Sequence, residues 1–274
     1  MSWGTTEATT STVAVRELDV AQALDDHFRL QVLAFGHVTP SGDGVVSDHA
    51  VMAQCGVPSV FNRATALDLE HPDLAVAEVQ HFFGDLPHTL WLRDDRVVED
   101  VDRLLRTRGY VPLTPVSGMA LALPASDLPV RDGHRVQLLT DPSLATRLAA
   151  VASRSFGFGR GDRLVFEDLA RNVLRHARPY QHGAVYGAPY GSDIVAMGLL
   201  LCTADLAGIS TIATAPRHRR RGLATAVVTR ALNDAAALGY RVAGVVTNPD
   251  SGRLMAELGF EEALAYRVYR QVAR

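Results

Sequence analysis

Residues Ile209-Ser210-Thr211-Ile212-Ala213-Thr214-Ala215-Pro216-Arg217-His218-Arg219-Arg220-Arg221-Gly222-Leu223-Ala224-Thr225 read as a strand, a tight turn and the first turn of a helix. Gly208 to Thr214 is an apolar run of strand length, and Arg221 to Leu238 is helical. In that helix Leu223, Val227 and Ala231 fall four apart with Val228, Leu232 and Ala235 beside them, a stripe broad enough to pack on a sheet. Gly239 supplies the stop. The first N–H groups of any helix lack an intrahelical partner, and the dipole adds positive charge there. A helix start ringed by Arg219, Arg220 and Arg221, with small Gly222 and Ala224, is therefore a site for a phosphate or diphosphate. The competing reading is a solvated charge run. Four cations crowded at a helix start oppose the dipole by about 0.3–1 kcal/mol each, a conflict that a bound anion removes.

The surrounding chain supplies the rest of an α/β (α+β) plan. Upstream, His134 to Leu139 reads as a strand, Pro142 to Phe156 and Asp162 to about Ala177 as helices, and Gly183 to Tyr186 and Asp193 to Leu201 as strands. Downstream, Arg241 to Thr247 is a strand leading to Asn248, a short helix ends in Leu258-Gly259-Phe260, and Tyr266 to Gln271 closes the pattern. Pro124, Ser126, Asp127, Pro129 and Gly133 interrupt two well-patterned regions. This predicts a tail over 1–14, one domain over 15–124, a linker over 125–133 and a second domain over 134–274.

Composition narrows the class. Of 274 residues 47 % are hydrophobic and 21 % charged, values of an ordinary globular protein. All 27 basic residues are Arg, and the net charge of -3 gives no global attraction to nucleic acid or anionic membrane. No GxGxxG or P-loop ending is present. Cys55 and Cys202 lie in different halves without ligand spacing, which points to a reduced, cytoplasmic setting with no structural zinc. His71, His81 and His88 with Asp73 and Asp85 fit no metal-binding spacing. Residues 1–12 lack the basic and apolar regions of a signal peptide, and no apolar run approaches the roughly 18 residues of a spanning helix.

The segment Ser210 to Phe260 resembles motifs A and B of the GNAT acetyltransferases, whose signature Arg/Gln-x-x-Gly-x-Gly/Ala is met by Arg219-x-x-Gly222-x-Ala224. The resemblance runs from about His134 onward. It implies an acetyl-CoA-dependent N-acetyltransferase acting on a primary amine of a small molecule, amino acid or protein, as a monomer or homodimer. It also implies that the backbone of Ile212, Ala213 and Thr214 pairs with the pantetheine arm, and that the turn Arg219, Arg220, Arg221, Gly222, Leu223, Ala224, Thr225 holds the diphosphate. Asn248 and Ser251 occupy positions that touch the cofactor in relatives or simply cap a helix. One departure concerns catalysis. The family places a tyrosine acid as Tyr-x-x-Leu-Gly-Phe, and this chain has Met255 there. Asp205 precedes the fourth strand and reads as a turn residue. Thr247, Ser251 and Tyr266 remain as donors, and the catalytic role is unassigned. An acyl-CoA-binding module without turnover is the alternative.

The first half repeats the outline of the second. Val101, Leu104 and Leu105 share a helical face, Arg108-Gly109-Tyr110 follows as Leu258-Gly259-Phe260 does, and Gly118 to Leu123 reads as a closing strand. The chain, including Pro58-Ser59-Val60-Phe61-Asn62 and a strand at Trp91, is similar to two-domain bacterial GNAT proteins. The alternative is an unrelated α/β domain. Val32 to Val57 carries no diphosphate signature, so no acetyl-CoA site is expected in that half, whose use would be as one wall of the acceptor cleft.

Overall fold

The computed structural model describes residues 18–125, 128, 134–176 and 183–272; the expected tail and most of the expected linker lie outside them. The first half runs α1 (Val20–Gly36), β1 (Asp43–Val46), β2 (Val51–Gln54), β3 (Arg63–Thr65), α2 (Pro72–Phe83), β4 (Thr89–Arg93), α3 (Glu99–Thr107), β5 (Tyr110–Pro112) and β6 (Val116–Ala122). The second runs β7 (Gln137–Leu139), α4 (Ala145–Phe156), α5 (Arg160–His176), β8 (Gly183–Tyr190), β9 (Asp193–Cys202), β10 (Ala207–Thr214), α6 (Leu223–Ala237), β11 (Val242–Thr247), α7 (Pro249–Glu257) and β12 (Glu261–Gln271).

Both halves therefore follow one plan: helix, antiparallel strands, a crossover helix to a parallel strand, a short helix and a closing segment. In the first half β1, β2 and β3 are antiparallel neighbours and β3 pairs parallel with β4 across α2. In the second β8, β9 and β10 are antiparallel neighbours and β10 pairs parallel with β11 across α6. Parallel neighbours need such a crossover.

The two sets join into one sheet, ordered β1-β2-β3-β4-β12-β6-β11-β10-β9-β8-β7, and the closing strands change places. β6, from the first half, pairs along its length with β11 of the second. β12 lies against β6 through residues 261–266, then against β4 through 266–270 and β5 through 269–271. The closing strand thus begins at Glu261, five residues before the expected Tyr266, and its expected part lies against the first half.

Alternation along the strands divides the core. On β9 Met197 and Leu199 turn toward Leu148, Val151, Val165 and Phe166 of α4 and α5, while Ala196 and Leu200 turn toward Val227, Val228 and Ala231 of α6. On β2 Met52 joins Val76, Val79 and Leu105 of α2 and α3, whereas Val51 and Ala53 join Leu24, Phe28 and Val32 of α1. Helix α1 shares the α4 and α5 face and crosses the seam between the halves. There the ring of His27 fills the space above Gly208, where a Cβ would stand 1.9 Å from its Nε2. Asp19 caps α1 by accepting from the N–H of Gln22.

Candidate active site

β10 and β11 pair only through Ala207 with Ala243 and Gly208 with Gly244 before they diverge. Just beyond, β10 bulges: Ser210 lies opposite Leu199 and Ala213 opposite Met197, with one extra residue between and Thr211 at a φ of 50°. A bulge adds local twist and frees backbone groups from the ladder. The divergence opens a cavity of about 290 Å³ lined on this side by Ile209, Ser210, Thr211 and Ile212 of β10, by Val245, Val246 and Thr247 of β11, and by Asn248 and Ser251.

The opposite wall comes mainly from the first half. Phe28, Gln31 and Phe35 project from one face of α1, Phe61 and Arg63 from the segment entering β3, and Trp91 from β4, while Phe156 and Phe158 flank the end of α4. Sequence spacing did not group these residues. The i, i+3, i+7 placement of Phe28, Gln31 and Phe35 was a visible signal, but it reads equally as an ordinary core stripe. Asn62 fixes the β3 entry: it accepts from Cys55 N at 2.8 Å and donates to Val57 O at 2.9 Å and Pro87 O at 3.1 Å. Asp162 of α5 staples the same loop, accepting from Ser59 Oγ at 2.9 Å and Val60 N at 2.8 Å. Nearby Cys55 is buried, which pushes its thiol up to about 12 and keeps it un-ionised.

At the far end of β10 the chain turns into α6. Gly222 is the N-cap with a φ of 79°, a conformation that glycine adopts freely, and no side chain caps the helix. No acidic residue stands in its first turn. The first intrahelical bond is Ala226 N to Gly222 O at 2.9 Å, which leaves the N–H groups of Leu223, Ala224 and Thr225 ahead of the ladder. Arg220 and Arg221 are exposed and have no ion pair among the described residues.

Other expected site residues have structural work. Arg219 folds back, donating from Nε to Thr214 O at 3.3 Å and from Nη2 to Ser155 O at 2.9 Å, so it braces α4 against β10. Thr214 O also accepts from Ser155 Oγ at 2.9 Å. Ile212 reaches the cavity, Ala213 lies in the α4 and α5 core, and Leu223 and Thr225 are buried under α6. Asn248 is a helix cap, accepting from Ser251 N at 3.0 Å, and also lines the cavity.

Of the three candidate donors, Thr247 and Ser251 share a short hydroxyl contact at the cavity edge. Tyr266 lies elsewhere. It is fully buried and donates to Asp25 at 3.1 Å, and burial raises its pKa. Met255 is buried in the α6 core and does not line the cavity. No carboxylate, histidine or tyrosine is among the described residues that line it. Neither does any group of three or more His, Cys, Asp or Glu among the described residues have the arrangement of a metal site. His71 donates to Asp68 at 2.9 Å, and His88 stacks on Phe83 and contacts Tyr110 at 2.8 Å. No described helix is long and apolar enough to cross a membrane.

Comparison with known proteins agrees with this geometry. Residues 146–260 match the family model described as the acetyltransferase (GNAT) family. A GCN5-related N-acetyltransferase from Kribbella flavida superposes with a TM-score of 0.68 at 16 % identity, over 93 % of this chain and 96 % of that one. Another from Sphaerobacter thermophilus gives 0.62 at 14 %, over 84 % and 82 %. A tandem GNAT protein from the clavulanic acid biosynthesis pathway gives 0.57 at 14 %, over 94 % and 97 %. At such identities the likeness is one of fold. None of the curated proteins matches the sequence. Residues 146–260 thus match the acetyltransferase (GNAT) family, in a chain whose fold is shared with a tandem GNAT protein.

Proposed function

We propose that the protein transfers an acetyl group from acetyl-CoA to a primary amine seated in the cavity between β10 and β11. The observation that carries this is the coincidence, at one end of the diverged strands, of an uncapped cationic helix start and a cavity of small-molecule size. In this reading the N–H groups of Leu223, Ala224 and Thr225, with Arg220 and Arg221, hold the diphosphate. The bulged stretch of β10 at Thr211 and Ile212 lies beside the pantetheine arm, and Arg219 keeps the turn in shape. The repeats are read as 15–124 and 134–274, with the first supplying the acceptor wall.

Acetyl-CoA supplies a thioester carbonyl for attack and a thiolate, of pKa about 8.5, that leaves without obligatory protonation. The cavity residues must favour the neutral amine, whose pKa is about 8 for an α-amine and about 10.4 for a lysine side chain. Aromatic walls desolvate an ammonium ion, and the guanidinium of Arg63 repels it; both lower the amine pKa. The proton then passes to solvent, so the cavity functions without a side-chain base. In this reading the Thr247 and Ser251 hydroxyls at the cavity edge steady the departing sulfur.

That no carboxylate, histidine or tyrosine is among the described residues lining the cavity supports a second reading, an acyl-CoA-binding module without turnover. Calorimetry and thiol release with a panel of amines separate the two. Wild-type protein should bind acetyl-CoA and release thiol in the presence of an amine. Ala224→Glu, which suits a first helical turn but sets a carboxylate at the diphosphate, should weaken acetyl-CoA binding by about 100-fold. Binding with no thiol release on any amine would select the module; no binding would remove both.

A further inference from the structure

Among the described residues, the wall that the first half contributes to the cavity carries one charge. Arg63 lines the cavity, donates from Nε to Val60 O at 3.0 Å, and has no carboxylate partner among the described residues. Its guanidinium carbon lies 4.8 Å from the centre of the Trp91 ring, 5.6 Å from Phe35 and 5.8 Å from Phe61. Rings at these distances steady a cation but do not replace an anion. The nearby acid, Asp162, is occupied by Ser59, Val60 and Gly159. Neither Nη group has a hydrogen-bonded partner among the described residues. Burial of the guanidinium lowers its pKa to about 10, still well above neutrality, so the charge persists.

A desolvated cation with an unused fork, set in a wall of rings, matches a planar anion that brings two oxygens. We propose that Arg63 holds the carboxylate of the acceptor, so that the cavity takes a free amino acid with an apolar or aromatic side chain. This rests on the cavity being the acceptor site. Charge and size agree with it. One guanidinium balances a singly charged carboxylate and leaves a phosphate dianion half unpaired, and about 290 Å³ admits a small molecule. An amino acid whose amine has lost its proton is a monoanion, so its pairing with Arg63 leaves the occupied cavity neutral. The same arginine would then select the acceptor and favour its reactive form. Asn62 and Asp162 pin the loop that presents Arg63, which makes the fork a fixed anchor.

The test compares L-phenylalanine, L-leucine and L-methionine with their amides. Calorimetry on protein saturated with CoA reads binding, and thiol release from acetyl-CoA reads kcat/KM. Wild-type protein should prefer at least one acid over its amide by about 100-fold in both measurements, the scale of a charge-assisted bidentate contact. Arg63→Gln should reduce that preference to within about threefold, and Arg63→Lys, which keeps charge but not the fork, should leave an intermediate value. If acetyl-CoA binds and thiol is released with an amine, yet no acid is preferred over its amide, the Arg63 assignment falls and the transferase reading stands. A preference that survives in Arg63→Gln also overturns it. If acetyl-CoA gives no heat at all, the transferase reading fails and takes this assignment with it.

Discussion

The turn from β10 to α6 and the turn from β3 to α2 hold the same place in two copies of one plan, yet their chemistry is opposite. After β10 the chain carries Arg217, Arg219, Arg220 and Arg221 into a helix with no side-chain cap. After β3 it carries Asp68 and Glu70. Asp68 accepts from Glu70 N at 2.9 Å and from the rings of His71 at 2.9 Å and His49 at 3.3 Å. The strands differ in parallel. β3 stays paired with β4 through Thr65 and Trp91, reinforced by Thr65 Oγ1 donating to Trp91 O at 2.9 Å, whereas β10 leaves β11 after two residue pairs. Beyond the closed pair lies a cavity of about 20 Å³, against about 290 Å³ at the open one. Under the proposed reading a diphosphate site needs both a cationic turn and a gap for the ligand's arm, and among the described residues only the turn after β10 has the two together.

Charge reversal at the open turn is the largest expected effect. Arg220→Glu with Arg221→Glu should weaken acetyl-CoA binding by about 1,000-fold, as two charge-assisted contacts become repulsions. Asp68→Arg, added to that double variant, should restore no acetyl-CoA binding, because β3 and β4 still exclude the arm. Calorimetry of the double and triple variants decides whether strand divergence matters as much as charge, and binding regained in the triple variant would show that it does not.

The second expectation concerns the seam. Burial lowers His27 to about 4, below its usual 6.5, so the neutral ring is the folded form. A group whose folded value is depressed below its unfolded value, and whose protonated form is the charged one, disfavours folding as it protonates. Stability should therefore be complete above about pH 6.5 and decline toward pH 4, by up to about 3 kcal/mol. Urea unfolding across that window should show the decline, and His27→Gln should flatten it. An unchanged slope in the variant would place the titration elsewhere.

The smallest expected effect is at Asp68. The backbone N–H of Glu70, then the His71 ring, lower its carboxyl to about 2. Its contribution is present above about pH 4 and lost as pH falls toward 2. The urea midpoint of Asp68→Asn should lie below that of wild type at pH 5 and merge with it near pH 2. Equal midpoints at both pH values would mean that the Asp68 contacts do not steady this turn.

Much of the second half was legible in the residues. The stripe Leu223, Val227 and Ala231, the stop at Gly239 and the small residues Gly222 and Ala224 each follow from local rules, and α6, its turn and its flanking strands stand where those rules put them. Local rules did not reveal what Arg219 does, because its partners Ser155 and Thr214 are brought to it only by tertiary packing. The first half's share of the cavity wall was hidden for the same reason. Phe28, Phe61, Arg63 and Trp91 meet Val246 and Ser251 across the seam, a juxtaposition created by strand pairing that no sequence spacing encodes. In the first half, the turn matching the one after β10 is 66–71, beyond the stretch 32–57; the short strands β1 to β3 conceal that register.

The exchange of β6 and β12 bears on how such a protein can be divided or shortened. A gene cut between residues 125 and 133 would give one fragment whose β11 lacks its neighbour and another whose β4 has an open edge, each exposing unpaired backbone to self-association. Deleting the first half would remove a strand, β6, from between β11 and β12. Its persistence thus needs no ligand of its own, and residue Glu261 must leave the ribosome before either copy can finish its sheet.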